Sequence, residues 1–267
     1  MVMQLAASSM LSQGQTPDEQ LGFLRRCGFS GMELRLVLSR DDLSSYVDNL
    51  HLAKERIGLP VCSLITPDAT FGLAFDSREA MEAKLNSLIK NLQIAGPLGA
   101  VSLFCPEYRP QHPLPLWNPP PQMTCKERSL LLELLSRAAD VAEKTDGRVV
   151  IEPLNRYETH LVHRIETAAE LCESVGSPRL GILADFYHMN LEETDMEQSI
   201  TSVAEHIFHV QLGDSNRLLP GQGHLAFQPG FCALRRAGYD GFMALECRAQ
   251  GPLGNALSRC VEFVTGE

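Results

Sequence analysis

The chain has 267 residues, and 44% of them are hydrophobic, so it can bury one large core. Its 33 acidic and 23 basic side chains give a net charge of −10, which repels nucleic-acid phosphates and anionic membrane surfaces. We therefore expect no nucleic-acid partner and no membrane association. Eight cysteines stand singly, and the first residues lack the basic segment of a secretory signal, so we expect reduced thiols in a cytoplasmic protein.

Short apolar runs rich in Val, Ile, Leu and Met alternate with longer stretches of helical period. This alternation is typical of parallel strands covered by helices. The predicted strands are Gln4–Ser8, Gly31–Arg35, Val61–Thr66, Ala100–Phe104, Val149–Pro153, Leu180–Asp185, Ile207–Leu212 and Gly241–Cys247. Eight strands in a chain close to the roughly 250 residues typical of the fold predict an α/β protein, a single (β/α)8 TIM barrel over residues 1–267.

The amphipathic segments between these strands are long enough to form crossover helices. The predicted helices include Asp41–Arg56, Arg78–Ala95, Lys126–Thr145, Ile165–Val175 and Asp195–His206. Thr16 and Pro17 mark the start of the first helix, because a capping residue followed by a first-turn proline is a helix-start signal.

A proline-rich loop at residues 106–124 interrupts this alternation. It contains seven prolines and the only tryptophan, Trp117, and is too rich in proline to form a helix. The loop follows a predicted strand, so we expect it to lie over the C-terminal face of the barrel, where active sites are found. A lid and a stiff structural loop are both consistent with this composition.

Acidic residues stand at the carboxyl ends of three of the last four predicted strands: Glu152, Asp185 and Glu246. Each ends an apolar strand that should be buried on both faces, where an unpaired carboxylate is costly. Three carboxylates that meet at one barrel mouth repel one another, and a divalent cation relieves that repulsion most simply. For Glu152 or Glu246 alone, a buried structural ion pair is the alternative interpretation.

The seventh predicted strand carries two polar residues, His209 and Gln211. Residues two apart on a strand face the same side, so both face the barrel interior if either does. Gln211 lies nearer the carboxyl end, level with the three acids, and we expect its amide oxygen to be a metal ligand. We expect His209, one layer deeper, to fill the barrel or to hydrogen-bond a ligand. Glu33, at the end of the second strand, either lines the pocket wall or has a structural role.

The ordered set of these residues resembles the sugar isomerase and epimerase barrels, which include ketose 3-epimerases, hydroxypyruvate isomerase, inosose dehydratases and endonuclease IV. The resemblance covers essentially the whole chain and is sharpest from Glu152 to Glu246. In that family a Glu, an Asp, a His or Gln, and a second Glu hold one Mn, Mg, Co or Zn ion. The resemblance therefore implies a small carbohydrate substrate and, as metal ligands, Glu152, Asp185, Gln211 and Glu246.

The family's substrate-contacting positions have counterparts in this chain. They match Glu158 in EPLNRYE, His188 in DFYHMN and Arg217 in GDSNR. From the residues alone, His188 also fits a buried core histidine and Arg217 a solvated loop charge. His51, His160, His163 and His206 have no counterpart in the motif, and we expect them to be surface residues.

The chain departs from the ketohexose epimerases at one ligand. Those enzymes usually have His-x-His where this chain has His209, Val210 and Gln211, whereas relatives of hydroxypyruvate isomerase have Gln. A neutral oxygen ligand favours Mn or Mg over Co or Zn. The nuclease branch needs extra histidines where this chain reads LITPDAT, LFCPEYR and NRLLPGQGH, so a nuclease is disfavoured.

By this resemblance, the metal polarises a hydroxy-ketone and Glu152 and Glu246 act as base and acid. Reprotonation of the enediolate on the opposite face gives an epimer, and reprotonation on the adjacent carbon gives an isomer. His188 and Arg217 would hold the oxygen that becomes negatively charged, and Glu158 would orient a hydroxyl. A dehydratase of an inosose or a dehydroshikimate-like substrate is the main alternative, followed by a non-catalytic sugar-binding barrel. Homo-oligomerisation stays open.

Overall fold

The computed structural model describes residues 4–68, 70–108 and 122–266. Eight parallel strands pair in sequence order, and the last returns to pair with the first, so the sheet closes. The strands are β1 Gln4–Ser8, β2 Gly31–Arg35, β3 Val61–Ile65, β4 Val101–Phe104, β5 Arg148–Ile151, β6 Leu180–Asp185, β7 Ile207–Leu212 and β8 Phe242–Leu245. The prediction of a single (β/α)8 barrel is confirmed.

Helices follow the strands and cover the outside of the barrel. In the described residues they are α1 Pro17–Arg26, α2 Leu43–Ile57, α3 Arg78–Leu98, α4 Cys125–Lys144, α5 Ile165–Val175, α6 Phe186–Glu192, α7 Met196–Val203, α8 Phe227–Arg236 and α9 Leu253–Thr265. Thr16 accepts a hydrogen bond from the backbone of Glu19, whose side chain accepts one in return, and Pro17 opens the first turn. This capping box is the start that the sequence predicted for α1.

Alternate strand residues belong to different apolar clusters. Val149 and Ile151 belong to the main core, whereas Val150 packs with Leu103 and Leu183 in a smaller cluster. Because successive side chains point to opposite faces of a strand, the main core lies between the sheet and the helices, and the smaller cluster fills the barrel interior. Residues two positions beyond the interior cluster therefore also face inward, at the barrel mouth.

The described part of the proline-rich loop comprises only residues 106–108 and 122–124. The predicted position of this loop over the C-terminal face thus concerns residues that lie outside the described chain, Trp117 among them. In the parts of the chain that the structure describes, no helix is both long enough and apolar enough to cross a membrane.

Candidate metal and active site

The carboxyl ends of β5–β8 carry the polar residues singled out in the sequence. Glu152 lies two residues after the interior Val150, Asp185 two after the interior Leu183, and Glu246 two after Ala244, which belongs to a small cluster of its own. Glu152 is 3% exposed and Asp185 1%. Their burial follows from strand alternation, because both are inward-facing residues at or directly after the buried carboxyl end of a strand.

Two of the acids meet one histidine at the barrel mouth. Among the described residues, Glu152, Asp185 and His188 each offer a ligand atom, and these atoms lie within 4.8 Å of one another. His188 Nε2 lies 3.4 Å from Asp185 Oδ2 and 3.7 Å from Glu152 Oε1. Asp185 also caps α6 by accepting the backbone N–H of Tyr187 at 2.9 Å, and this first turn brings His188 onto the face of Asp185.

Arg217 joins two of the carboxylates. Its guanidinium donates to Asp185 Oδ2 at 2.6 Å and to Glu246 Oε2 at 2.9 Å, and lies 4.3 Å from the centre of the Tyr187 ring. The Arg217 backbone has a φ of 60°, a left-handed conformation that costs a non-glycine residue about 1–2 kcal/mol. The contacts of a fixed loop must offset this strain. Together with the hydrogen bonds to Asp185 and Glu246, it shows that Arg217 is a fixed part of the site rather than a solvated loop charge.

Asp214 holds the loop that carries Arg217. Its carboxylate is 1% exposed and accepts backbone N–H groups of Ser215, Gly221 and Leu225 at 2.7–2.9 Å. Burial raises the pKa of Asp214, but the hydrogen bonds from Leu225 and Ser215 outweigh it and hold that pKa below its ordinary value. Residue 223 must be glycine, since a Cβ there would lie 2.2 Å from Asp214 Oδ1. Asp214 was not predicted from the sequence, although it lies two residues after β7 within the GDSNR motif.

The side-chain amide of Gln211 has hydrogen-bond partners at its nitrogen and, in the described structure, none at its oxygen. It stands in strand register with Asp185 and is fully buried. Its Nε2 donates to both carboxylate oxygens of Glu33 at 3.0 Å, whereas its Oε1 has no hydrogen-bond partner in the described structure. A buried acceptor without a partner costs about 1–3 kcal/mol of folding free energy, and a cation bound to this oxygen would remove that cost.

Glu33 lies inside the barrel rather than on the pocket wall. It is fully buried, accepts the Ser63 hydroxyl at 2.8 Å, and lies 3.0 Å from His209 Nε2. His209, predicted to fill the barrel or to bind a ligand, fills the barrel and faces this carboxylate. The contact with Glu33 spans the interior, because β2 and β7 are separated by β1 and β8 in the closed sheet.

Asn155 fixes the histidine of the site. It donates its backbone N–H at 3.1 Å and its side-chain amide at 2.8 Å to His188 Nδ1, and the same amide donates to Glu158 Oε1 at 3.0 Å. Because Nδ1 accepts, a neutral His188 carries its proton on Nε2 and donates toward the site. Sequence reasoning did not single out Asn155, although it is the asparagine of the EPLNRYE motif.

Cys105 is a third residue of the site that was not predicted from the sequence. It lies two residues after the interior Leu103, and its thiol donates to Glu152 Oε2 at 2.8 Å. Burial raises the pKa of this thiol well above its ordinary value, and the adjacent Glu152 raises it further. Cys105 is therefore a proton-bearing donor that orients Glu152. The only sequence signal was the position of Cys105 directly after a strand.

The site is poorly solvated, and this shifts the pKa of Glu152, of Glu246 and of His188. Burial raises the pKa of Glu152 well above its ordinary value, and the charges of Glu246 and Asp185 raise it further. Burial also raises the pKa of Glu246 to about 8, with Arg217 opposing and Glu33 adding to the rise. Burial lowers the pKa of His188 to about 4, which keeps the imidazole neutral at physiological pH.

A cavity of about 660 Å³ opens above these groups. Its floor includes Glu152, Glu246 and Arg217, and Glu158 lies on its side. Apolar and aromatic residues such as Phe71, Tyr108 and Leu154 form much of the remaining wall, which Arg35 and Arg248 also line. Polar groups at the bottom of an apolar cleft of this size are typical of a small-molecule binding site.

The residues fit a divalent metal ion. The site offers an oxygen-rich set of the kind that Mg and Mn prefer: two glutamates with raised pKa, one aspartate, and an amide oxygen that has no partner among the described residues. His188 completes the geometric cluster with Glu152 and Asp185, but its Nδ1 accepts two hydrogen bonds from Asn155. Its Nε2 is therefore a donor, which suits an oxygen of a ligand better than a metal ion.

Sequence comparison relates the chain to sugar epimerases. The family model described as xylose isomerase-like TIM barrel matches residues 21–263. A 3-dehydro-D-guloside 4-epimerase of Escherichia coli is 27% identical over 240 residues, which cover 88% of this chain and 88% of that protein. A probable ketose 3-epimerase of Synechocystis is 25% identical, over 83% of this chain and 75% of that protein.

Structural comparison gives the same fold. A 3-keto-D-glucoside 4-epimerase of E. coli superposes with a TM-score of 0.86 over 99% of this chain and 100% of that one, at 22% identity. A D-allulose 3-epimerase from Methylomonas, solved with D-allulose, has a TM-score of 0.82 over 99% and 97% of the two chains, at 20% identity.

Proposed function

The chain belongs to the xylose isomerase-like TIM barrel family, and on that premise we propose that it is a metal-dependent epimerase of a keto sugar. One observation carries the proposal. Gln211 has a buried oxygen without a hydrogen-bond partner in the described structure and stands in strand register with Asp185, and Glu152 and Glu246 directly follow β5 and β8 at the same end of the barrel. The relatives that cover most of this chain are sugar epimerases, which supports epimerisation over simple sugar binding.

Glu152, Asp185, Gln211 and Glu246 would hold the divalent cation, which when bound polarises a substrate carbonyl and makes the neighbouring C–H acidic. The two glutamates lie three strands apart around the mouth, at the ends of β5 and β8. A sugar lying between them exposes one face to each. One glutamate then removes the proton from the carbon beside the carbonyl, and the other returns a proton to the opposite face through an enediolate.

The remaining polar groups hold the substrate. His188 donates from Nε2, since Asn155 occupies Nδ1, and Arg217 presents a guanidinium already fixed between Asp185 and Glu246. Donors fixed in this way before substrate binds stabilise negative charge that develops on a sugar oxygen without rearranging during the reaction. Glu158, held by Asn155 at the side of the cavity, accepts a substrate hydroxyl.

Solvent exchange tests the proposal most directly. The protein is incubated in deuterated water with Mn²⁺ or Mg²⁺ and with ketopentoses, ketohexoses, ketose phosphates or 3-keto glycosides, and the products are examined by NMR. We expect metal-dependent deuterium incorporation at the carbon beside the carbonyl, together with the epimer. If none of these substrates exchanges a proton while the protein is folded and metal-loaded, the proposed activity is wrong. New enone absorbance without an epimer would instead indicate dehydration.

A further inference from the structure

Glu33 and Gln211 form a buried donor and acceptor pair beside the candidate metal ligands. Gln211 Nε2 lies 3.0 Å from each carboxylate oxygen of Glu33, and both side chains are fully buried. A glutamine amide has one oxygen end and one nitrogen end, and only the nitrogen end donates to a carboxylate. Glu33 therefore determines which end of the Gln211 amide faces away from it.

The end that faces away is Oε1, the buried oxygen without a partner in the described structure. A reversed amide would press Oε1 against two anionic oxygens of Glu33 and turn N–H donors toward the metal site, where they would repel a cation. A histidine ligand is oriented by the partner of its second ring nitrogen, which fixes the tautomer and the ring. A glutamine in the same place needs a neighbour that fixes its orientation.

Glu33 is itself held in place by other donors. Ser63 Oγ donates to Oε2 at 2.8 Å, and His209 Nε2 lies 3.0 Å from the same oxygen. These contacts come from β3 and β7, on either side of β2 around the closed sheet, so the carboxylate is anchored across the barrel interior. The Gln211 amide thus faces a fixed acceptor rather than a mobile one.

We propose that Glu33 is a positioning residue that orients the Gln211 amide, so that its oxygen rather than its nitrogen becomes a ligand of the metal ion. This role rests on the proposed function only in requiring a metal ion at the site. Through Glu33, the residues that support the metal ligands extend to the opposite half of the barrel. The proposal also gives a role to a fully buried carboxylate that neither touches the cavity nor serves as an acid or base.

The test is Mn²⁺ affinity, measured without substrate by competition with a fluorescent chelator. In Glu33→Gln, the negative charge is lost and only one of the two oxygens that face Gln211 Nε2 remains, so the acceptor that fixes the amide is weakened and the reversed amide becomes accessible. We expect Mn²⁺ to bind about 10- to 100-fold more weakly, the loss typical for removal of a residue that orients a metal ligand. Glu158→Gln is the control, because it removes a carboxylate that lines the cavity and is hydrogen-bonded to Asn155 rather than to Gln211. Its loss of affinity should be clearly smaller.

A double exchange guards against simple misfolding. The variant that combines Glu33→Gln with Gln211→Glu keeps the net charge and restores the pair with donor and acceptor reversed, so Mn²⁺ affinity should return to at least the wild-type value. Wild-type affinity in Glu33→Gln, an equal loss in Glu158→Gln, or no recovery in the exchanged variant would each overturn the inference. Because no substrate is present, a failure to turn over any keto sugar contradicts the proposed function alone.

Discussion

The two halves of the barrel mouth differ in chemistry although they are built from the same repeating unit. The strands β5 to β8 end at or next to Glu152, Asp185, Gln211 and Glu246, whereas β1 to β4 end at Ser8, Arg35, Ile65 and Phe104. Both halves place alternate residues inward, so the backbone does not explain the difference. It follows from which side chains occupy the inward positions at the rim.

The comparison assigns different tasks to the two halves. The β5 to β8 half concentrates carboxylates whose pKa is raised by burial and mutual repulsion, which is the condition for binding a metal and moving protons. The β1 to β4 half supplies walls, such as Phe71 and Tyr108, and supports, such as Cys105 and Glu33. Substitutions in one half at a time therefore test whether metal binding and proton transfer belong to the β5 to β8 half.

The largest effect should come from removing either acid–base group. We expect Glu152→Gln and Glu246→Gln each to lower kcat by about 100- to 10,000-fold, the usual contribution of a positioned acid or base. Glu107→Gln is the matched control from the other half, since Glu107 is as deeply buried but accepts from the backbone of Phe75 outside the cavity. Steady-state rates of the folded proteins provide the measurement. Normal turnover in either site variant, or an equal loss of kcat in Glu107→Gln, would refute the assignment of acid–base chemistry to the β5 to β8 half.

Much of the fold could be predicted from the sequence because it depends on local pattern. β1, β2, β6 and β7 have the predicted bounds, and β5 and β8 end before Glu152 and Glu246 rather than including them. The difference is small, because the backbone N–H of Glu152 still donates to Phe104 O at 3.0 Å and that of Glu246 to Leu212 O at 3.1 Å, one residue beyond each strand end. The order of the acids along the chain was enough to predict that they converge.

The supporting residues could not be predicted, since their roles depend on contacts between distant segments. Glu33 meets Gln211 across 178 positions of sequence, and Asn155 meets His188 across 33. Neither pair leaves a local pattern. His160 was expected at the surface, but its side chain is only 20% exposed and lies against two glutamates. A single sequence gives the identity of such residues without their partners.

The next effect concerns Arg217. We expect Arg217→Ala to reduce kcat/KM by about 10- to 100-fold, the cost of losing a charged hydrogen bond to the substrate. The change also leaves Asp185 and Glu246 without their shared cation, so Mn²⁺ should bind more tightly even as turnover falls. Rates and Mn²⁺ titrations together check both parts. A variant with unchanged kcat and KM would show that Arg217 only neutralises the acids.

A smaller effect should follow from changing the tautomer of His188. Asn155→Asp replaces the amide that donates to Nδ1 with a carboxylate oxygen that accepts from it, and this acceptor competes with the remaining backbone N–H and favours a ring proton on Nδ1. We expect kcat/KM to fall about 10-fold, in line with the loss of one hydrogen bond to a buried polar group. Asn155→Ala leaves the backbone donor in place and should lose less. Equal losses in the two variants would contradict a role for the tautomer.

The smallest effect lies outside the cavity and concerns stability alone. His160 Nε2 lies 2.8 Å from Glu127, and its Nδ1 lies 3.5 Å from Glu107. Glu107, and then Glu127, raise the pKa of His160 above its ordinary value of 6.5, against the opposing effect of burial. The protonated histidine therefore stabilises the fold below that ordinary pKa, and the gain is lost as pH rises through the raised pKa of the folded state. Relative to His160→Gln, the wild type should melt about 2–4 °C higher near pH 6, and this difference should shrink at higher pH. Thermal melts over that range measure it, and a difference independent of pH would show that His160 contributes packing rather than charge.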